Sequence, residues 1–267
     1  MIDTFIFYNE LDLLEYRLHL LNEYIDYFVL VESTHTFVGN KKELYYNNNK
    51  ERFKKYNDKI IHIIVDDMPI KSKITENKSI WDNEFHQRNC IQRGLDKLKV
   101  SDNEIIIISD VDEIPDPSIL KNIDKYKIKI NNLVMDLYWY NLNRKFNKLL
   151  CHALNPISKI LYYKYLKQNT IQQIRQSVQP LLTNERSGWH LSYFGDITFI
   201  NNKLSNFAHQ ENEVQNINNV EEIEKRMKSG DDLYAIDRNW KFTFIHTNDN
   251  DYLPPDYKEY LSKFISE

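Results

Sequence analysis

Four consecutive isoleucines, Ile105 to Ile108, run into a cluster of three carboxylates that ends at Pro115. An unbroken apolar run of this length can be covered on both faces, so it predicts a buried central strand. Proline cannot continue the ladder of a central strand, so Pro115 closes the element. The chain is therefore expected to build a sheet whose central strand brings Asp110, Asp112 and Glu113 to one edge.

These three carboxylates at the end of a buried strand repel one another and are costly to dehydrate unless a cation or a proton lies among them. Hard divalent cations such as Mg²⁺ and Mn²⁺ suit an oxygen-rich environment. Ligands of open α/β sheets bind at the carboxyl ends of the strands. This combination predicts a metal-dependent enzyme that acts on a phosphorylated or sugar-nucleotide substrate.

The first 110 residues alternate between strand and helix patterns, which implies an α/β fold with a mainly parallel central sheet flanked by helices. Asn9 is expected to cap the first helix. Strands are predicted at 2–7, 27–31, 60–65 and 104–109, and helices at 9–24, 50–58 and 81–98.

The second half of the chain changes pattern, with an aromatic strand at 133–140 and helices at 219–229 and 256–265. No linker rich in Pro, Gly or Ser divides the chain. We therefore expect a single domain over residues 1–267, with a nucleotide-sugar-binding half at 1–120 and an acceptor-binding half at 121–267.

Composition excludes several classes of protein. The net charge of −4 argues against a nucleic-acid binder. The two cysteines, Cys90 and Cys151, are too few for a disulfide framework, and we expect buried thiols in a reducing compartment. Only five glycines occur, and neither a GxGxxG nor a GxxxxGK[ST] loop is present. The excess of Asn, Ile, Lys and Tyr is typical of an AT-rich genome.

We expect no signal peptide, and no apolar run in the sequence reaches the roughly 18 residues that a membrane span requires. We therefore expect a soluble, cytoplasmic protein. The sequence makes no prediction about the oligomeric state.

Several sequence blocks, taken in order, resemble glycosyltransferase family 17, the family of β-1,4-mannosyl-glycoprotein 4-β-N-acetylglucosaminyltransferase. The resemblance implies a GT-A-like, Rossmann-type nucleotide-sugar-binding fold, a UDP-sugar donor (UDP-GlcNAc in the first place), Mn²⁺ or Mg²⁺, a carbohydrate acceptor and an inverting mechanism. The blocks are 3–15, 28–34, 81–84 with 87–89, 109–115 and 188–190.

The resemblance also assigns expected roles within the acidic cluster. Asp112 is the leading metal ligand, and Asp110 contacts the metal through water or binds the ribose. Glu113 points elsewhere along the strand and is expected to orient the acceptor. A histidine completes the metal shell, either His190 or its rival His246, and a mixed Asp and His shell fits Mn²⁺ better than Mg²⁺.

An inverting reaction requires a general base near the acceptor hydroxyl. Glu211 is the first choice, because its block follows the Gly188-Trp189-His190 block at the position that the family implies. Asp196 and Asp232 are the alternatives.

Donor binding is assigned to the ends of the first two strands and to the helix before the acidic cluster. Glu32 is expected to bind the ribose or uracil. The guanidinium of Arg88 suits diphosphate oxygens, although it can also pair with Glu84 on the same helix face. The remaining candidates are Asn9 and Glu10 for the donor, and Trp139, Trp189 and Tyr193 as stacking surfaces for sugars.

Two other functions stay open from the residues alone. Carboxylate pairs also serve two-metal chemistry, so a metal-dependent nucleotidyl- or phosphotransferase is one alternative. A non-catalytic sugar-binding protein is the other.

Overall fold

A computed structural model describes residues 1–71, 79, 81–146, 158–210, 212–234 and 240–266. Within these residues the protein is a mixed α/β structure with two sheets. The strands are β1 (Ile2–Phe7), β2 (Tyr27–Ser33), β3 (Ile60–Val65), β4 (Ile105–Asp110), β5 (Glu113–Pro115), β6 (Ile130–Asn132), β7 (Met135–Trp139), β8 (Arg144–Phe146), β9 (Lys159–Tyr162), β10 (Gly188–Ser192) and β11 (Phe242–Phe244).

Helices cover the sheets and fill the connections between strands. The α-helices are α1 (Leu11–Leu21), α2 (Tyr45–Asn48), α3 (Trp81–Asn89), α4 (Ile91–Lys97), α5 (Pro117–Lys121), α6 (Ile171–Gln176), α7 (Ile197–Asn206), α8 (Asn212–Asn216), α9 (Val220–Ser229) and α10 (Tyr257–Tyr260). Short 3-10 helices occur at Lys50–Tyr56, Ile123–Lys125, Tyr163–Tyr165, Thr247–Asp249 and Ser262–Phe264.

The first sheet has six strands in the order β3-β2-β1-β4-β9-β6. The first four of these strands are parallel, as the sequence predicts. β9 pairs antiparallel with β4, and β6 pairs antiparallel with β9. The expectation of a mainly parallel sheet therefore holds for strands β1 to β4, whereas the complete sheet is mixed.

The isoleucine run of β4 is buried on both faces, because alternate residues enter different cores. Ile107 packs in the cluster that contains Leu14 of α1. Ile106 and Ile108 pack in the opposite cluster, which contains Ile91 of α4. The side-chain period of two along a strand thus explains why four isoleucines follow one another here.

A second sheet, which the sequence did not predict, has the order β11-β8-β7-β10-β5. β10 runs parallel to β7 and antiparallel to β5. β4 of the first sheet and β5 of the second are separated along the chain only by Val111 and Asp112. The acidic cluster therefore lies at the junction of the two sheets.

Several predicted helix boundaries are wrong. Helix α1 begins at Leu11 after Glu10, and no side chain caps it, so Asn9 is not its cap. The segment 50–58 forms a 3-10 helix, and the predicted helix 81–98 is divided at Cys90. The predicted terminal helix is reduced to α10 and a 3-10 turn.

The two predicted buried thiols have different outcomes. Cys90 is free and buried, as expected. Cys151 lies outside the described residues. Among the helices of the described ranges, none is long and apolar enough to cross a bilayer.

Candidate active site

A fully buried arginine of α1 holds the backbone of the acidic turn between β4 and β5. Arg17 donates to the main-chain carbonyls of Asp110 (3.1 Å), Val111 (3.2 Å) and Glu113 (2.7 Å). Its other nitrogens donate to both oxygens of Asp3, at 2.7 and 2.6 Å. All three carbonyls face the same nitrogen, Nη1, while Nε and Nη2 fix the rigid guanidinium on Asp3, so a single side chain holds the backbone of the turn.

Asp110 is held by two further arginines. Arg88 of α3 donates to Oδ1 at 3.0 Å, and Arg175 of α6 donates to Oδ2 at 3.3 Å. Burial alone would raise the pKa of Asp110, but these two guanidinium groups outweigh it and hold the pKa well below its usual range. Asp110 is therefore ionised, with an arginine on each oxygen.

Glu113 points away from Asp112, as the alternation of a strand requires. Arg175 donates to its two oxygens at 2.6 and 2.7 Å, and Ser158 donates to Oε2 at 2.8 Å. The carboxylate that we expected to orient the acceptor is thus occupied by a buried, bidentate ion pair. In this structure Glu113 therefore holds the side chain of Arg175 in position.

Asp112 faces the opposite side of the turn and is only 6% exposed. Its Oδ1 lies 3.7 Å from Nε2 of His190, and its Oδ2 lies 3.4 Å from Nζ of Lys203. Burial raises the pKa of Asp112 above its usual value, although Lys203 and His190 act in the opposite direction. Asp112 is thus the carboxylate of the turn with the least complete set of partners.

The pairing of β10 with β5 brings His190 to this position. His190 is the register partner of Glu113, and the backbone N–H of Leu191 donates to the carbonyl of Asp112 at 2.8 Å. Gly188 begins β10 with φ +155°, and a Cβ there would lie 2.3 Å from the carbonyl oxygen of Ile114. The glycine of the Gly-Trp-His block is therefore required by the close approach of these two strands.

Glu10 lies across from Asp112 and shares the same lysine. Its Oε2 accepts from the backbone N–H groups of Tyr8 and Asn9, at 3.2 and 3.0 Å. Its Oε1 accepts from Nζ of Lys203 at 3.2 Å. Of the two residues predicted for the donor at the end of β1, Glu10 lines the cavity described next, and the lining does not include Asn9.

These groups line a cavity of about 600 Å³, which lies within the range for small-molecule sites. Asp110, Asp112, Glu113, Arg88 and His190 are in its lining. One part of the wall is aromatic and includes Trp81, Phe85, Trp139, Tyr193, Phe207 and Tyr234. The cavity thus combines a charged floor with aromatic walls on which sugar rings or a base can stack.

Several predicted residues do not line this cavity. Glu32 is fully buried and accepts from the N–H groups of Tyr46 and Asn47, at 2.9 and 3.3 Å, as well as contacting His62. It therefore anchors the start of α2. Trp189 is stacked on Tyr252, with ring centroids 4.8 Å apart.

The rival histidine and the two alternative bases also lie outside the cavity lining. The ring of His246 packs against Phe244, and Asp196 caps α7 by accepting from the N–H of Phe199. Asp232 accepts from the N–H of Tyr234. The first choice of base, Glu211, lies outside the described residues.

Three cationic residues that the sequence analysis did not single out organise the site: Arg17, Arg175 and Lys203. Each of them lies on a helix, where a lysine or an arginine is usually exposed to solvent. No spacing rule distinguishes a buried arginine from a surface one. Only the contact between helices and the acidic turn reveals their role.

A second group of potential metal donors, Asp67, His86 and Cys90, lies elsewhere. Both oxygens of Asp67 accept from Arg93, at 3.0 and 2.7 Å, and Oδ1 also lies 3.3 Å from His86. These contacts account for the group as an ion-pair network that ties α3 and α4 to the end of β3. We assign no metal to it.

Asp112 and His190 have the donor set of a metal site, with one carboxylate oxygen and one imidazole nitrogen. Their separation of 3.7 Å exceeds a hydrogen bond and is compatible with two ligands of one ion, each about 2 Å from it. Each oxygen of Asp110 is already paired with an arginine. This arrangement fits the expected contact through water or with the ribose better than direct ligation of a metal.

Comparison with known proteins supports the resemblance. The sequence profile of glycosyltransferase family 17 matches residues 1–248. No curated protein matches the chain significantly. Among solved structures, the crystal structure of S. aureus TarS 1-349 is similar to 85% of this chain and 72% of that chain, with 14% sequence identity and a TM-score of 0.37. Because the family profile spans most of the chain, this protein belongs to glycosyltransferase family 17 and is a glycosyltransferase that takes a sugar donor and an acceptor.

Proposed function

We propose that the enzyme transfers a sugar, GlcNAc from UDP-GlcNAc in the first place, to a hydroxyl group of a carbohydrate acceptor, with inversion and with dependence on Mn²⁺ or Mg²⁺. One observation carries the proposal. Asp112 and His190 face each other at 3.7 Å on the floor of a cavity large enough for a nucleotide sugar. The choice of donor rests on the family, since a fold and a metal site do not determine a sugar.

The proposed GT-A-like fold is supported by the arrangement of the first four strands. β1 to β4 are parallel, and their carboxyl ends include the start of the cavity at Tyr8 and the acidic turn at Asp110. Ligands of open α/β sheets bind at this edge. The second sheet contributes His190 through β10, so we assign donor binding to the first sheet and completion of the metal shell to the second.

Asp112 and His190 would hold the cation, and Asp110 would bind it through water or contact the ribose. When bound, the cation supplies Lewis-acid stabilisation of the departing UDP diphosphate. The protein contributes preorganisation: Arg17 fixes the backbone of the turn, and Arg88 and Arg175 fix the carboxylate of Asp110. Since these contacts are already made, little rearrangement is needed when the donor binds.

Transfer with inversion requires one proton to leave the acceptor hydroxyl as the new bond forms on the opposite face of the sugar. We keep Glu211 as the proposed base. The support for it is that His209, two residues before it in the chain, lines the cavity. The aromatic side chains beside His209, among them Trp81 at 4.8 Å between ring centroids, offer a surface for the acceptor or donor sugar.

Product analysis across UDP-sugars with Mn²⁺ tests the proposal. We expect free UDP together with a glycosylated acceptor, fastest with UDP-GlcNAc, and no turnover with excess chelator or with Asp112→Asn. NMR of the product from an α-linked donor should show a β-linkage. Release of pyrophosphate or transfer of the nucleotide would instead indicate a nucleotidyltransferase. Glycan binding without turnover, undiminished by Asp112→Asn, would indicate a sugar-binding protein.

A further inference from the structure

Lys203 of α7 is buried, with its ammonium group between two carboxylates that belong to different parts of the cavity. Nζ lies 3.2 Å from Glu10 Oε1 and 3.4 Å from Asp112 Oδ2. Its position over the ring of Tyr193, 5.2 Å from the centroid, restricts it further. A buried ammonium is stable only beside compensating charge, and the carboxylates of Glu10 and Asp112 supply that charge.

This lysine shares its carboxylate with the proposed metal. Oδ2 of Asp112 faces Lys203, whereas Oδ1 faces His190. Two cations on the two oxygens of one carboxylate lie only a few ångströms apart, and in a buried site their repulsion is weakly screened. A divalent ion that arrives alone must therefore overcome the charge of Lys203 or displace it from Asp112.

The charges that line the cavity indicate how a bound diphosphate offsets the repulsion between Lys203 and the metal. Among the described residues of the lining, six are carboxylates and four are lysine or arginine, which leaves two unbalanced negative charges. This excess attracts a divalent ion to the cavity, but Lys203 repels the ion locally at Asp112. A diphosphate then adds negative charge beside two neighbouring cations, the metal and Lys203, and both are stabilised by it.

We propose that Lys203 makes metal binding depend on the donor diphosphate, so that the bare ion binds weakly and the ion together with a nucleoside diphosphate binds tightly. The inference rests on the proposed metal site at Asp112 and His190. Lys203 is a positioning residue in this scheme, because it acts through Asp112 and through charge. By thermodynamic linkage, UDP binding must be strengthened by the metal to the same extent.

A second buried lysine provides a matched control. Lys145 of β8 pairs with Asp136 at 2.6 Å and has the same side-chain exposure as Lys203, 11%. It lies outside the cavity lining. A substitution of Lys145 therefore removes a buried lysine–carboxylate pair without changing the charge that faces the proposed metal.

The test measures the dissociation constant of Mn²⁺ from the EPR signal of the free ion, with and without saturating UDP. We expect Lys203→Gln to bind bare Mn²⁺ at least tenfold more tightly than the wild type, and the strengthening by UDP to shrink by a similar factor. Lys203→Arg, which keeps the charge, and Lys145→Gln should both retain the wild-type coupling. Equal coupling in Lys203→Gln and Lys145→Gln overturns the inference.

Glu10→Gln provides a prediction of opposite sign that does not depend on whether Lys203→Gln folds. Among the described residues, loss of the Glu10 charge leaves Lys203 paired with Asp112, so bare Mn²⁺ should bind more weakly and the UDP effect should grow. Unchanged or tighter binding contradicts the inference.

Asp112→Asn distinguishes a failure of the proposed metal site from a failure of the proposed role of Lys203. If Asp112→Asn leaves Mn²⁺ binding intact, the proposed metal site is wrong. If Mn²⁺ binding is lost in Asp112→Asn but is unaffected by Lys203→Gln, only the role of Lys203 is wrong.

Discussion

Arg17 and Asp3 form a fully buried, two-point ion pair, with nitrogen–oxygen distances of 2.6 and 2.7 Å. The pair joins α1 to β1, and the same guanidinium also binds three carbonyl groups of the acidic turn. The floor of the cavity is therefore built on a contact between two residues that are 14 positions apart in the sequence and do not themselves line the cavity.

Substitution of Arg17 tests this arrangement. Arg17→Leu leaves Asp3 buried without its partner and removes the donors of three carbonyls, so we expect the free energy of unfolding to fall by about 3–5 kcal/mol. Arg52→Leu is the control, because Arg52 forms ion pairs with Asp12 and Glu15 but is 34% exposed; it should cost at most about 1 kcal/mol. Urea denaturation measures both. Similar losses of unfolding free energy in the two variants would show that the buried Arg17–Asp3 pair contributes no more than an exposed ion pair.

Gly188 is expected to matter for the position of His190 as well as for stability. An alanine there adopts a strained backbone and contacts the carbonyl of Ile114, which costs about 1–3 kcal/mol. Displacement of β10 should also weaken Mn²⁺ binding in the presence of UDP. Gly94→Ala is the matched control, since its Cβ would meet a side chain, Cγ1 of Val29 at 2.3 Å, away from the site. It should lower the melting temperature and leave the Mn²⁺ affinity unchanged.

Lys42 predicts a pH dependence of donor binding. It lines the cavity, and burial lowers its pKa to about 8 even though Glu32 and Glu10 act in the opposite direction. The side chain is cationic below this pH and neutral above it, so the cavity loses a positive charge as the pH rises through 8. The affinity for UDP, an anion, should therefore fall between pH 7 and pH 9 by up to about tenfold, about 1.4 kcal/mol.

Calorimetric titration of UDP at both pH values checks this expectation. Lys42→Met should bind UDP weakly at pH 7 and show little further loss at pH 9. Lys41→Met, a change at the exposed neighbour, should keep the wild-type pH dependence. A fall of the same size in Lys42→Met would assign the titration to another group.

The sequence predicted those strands whose apolar residues are also buried in the folded protein. β1 to β4 are runs of apolar residues that enter two cores, so hydrophobic pattern alone identified them. The position of Asp110 and Asp112 followed from the end of β4. His190 was named as one of two candidates, and the structure brings it, rather than His246, to the cavity.

The rest depended on long-range contacts that no local pattern encodes. β5, β8 and β11 have three residues each, too few for a periodic signal, and so the second sheet was not predicted. Arg175 looks like an ordinary helix-surface residue until α6 is placed beside Asp110 and Glu113. Glu32 looked like a ligand group at a strand end, whereas its oxygens bind the start of α2.

Asp112 and His190 are the proposed ligands of the divalent cation that accompanies the donor diphosphate. The most direct test is the affinity of Mn²⁺ with saturating UDP for wild type, Asp112→Asn, His190→Ala and His246→Ala. We predict one bound ion in the wild type, a loss of affinity of more than about a hundredfold in the first two variants, and no change in His246→Ala. Wild-type affinity in both Asp112→Asn and His190→Ala would contradict this account.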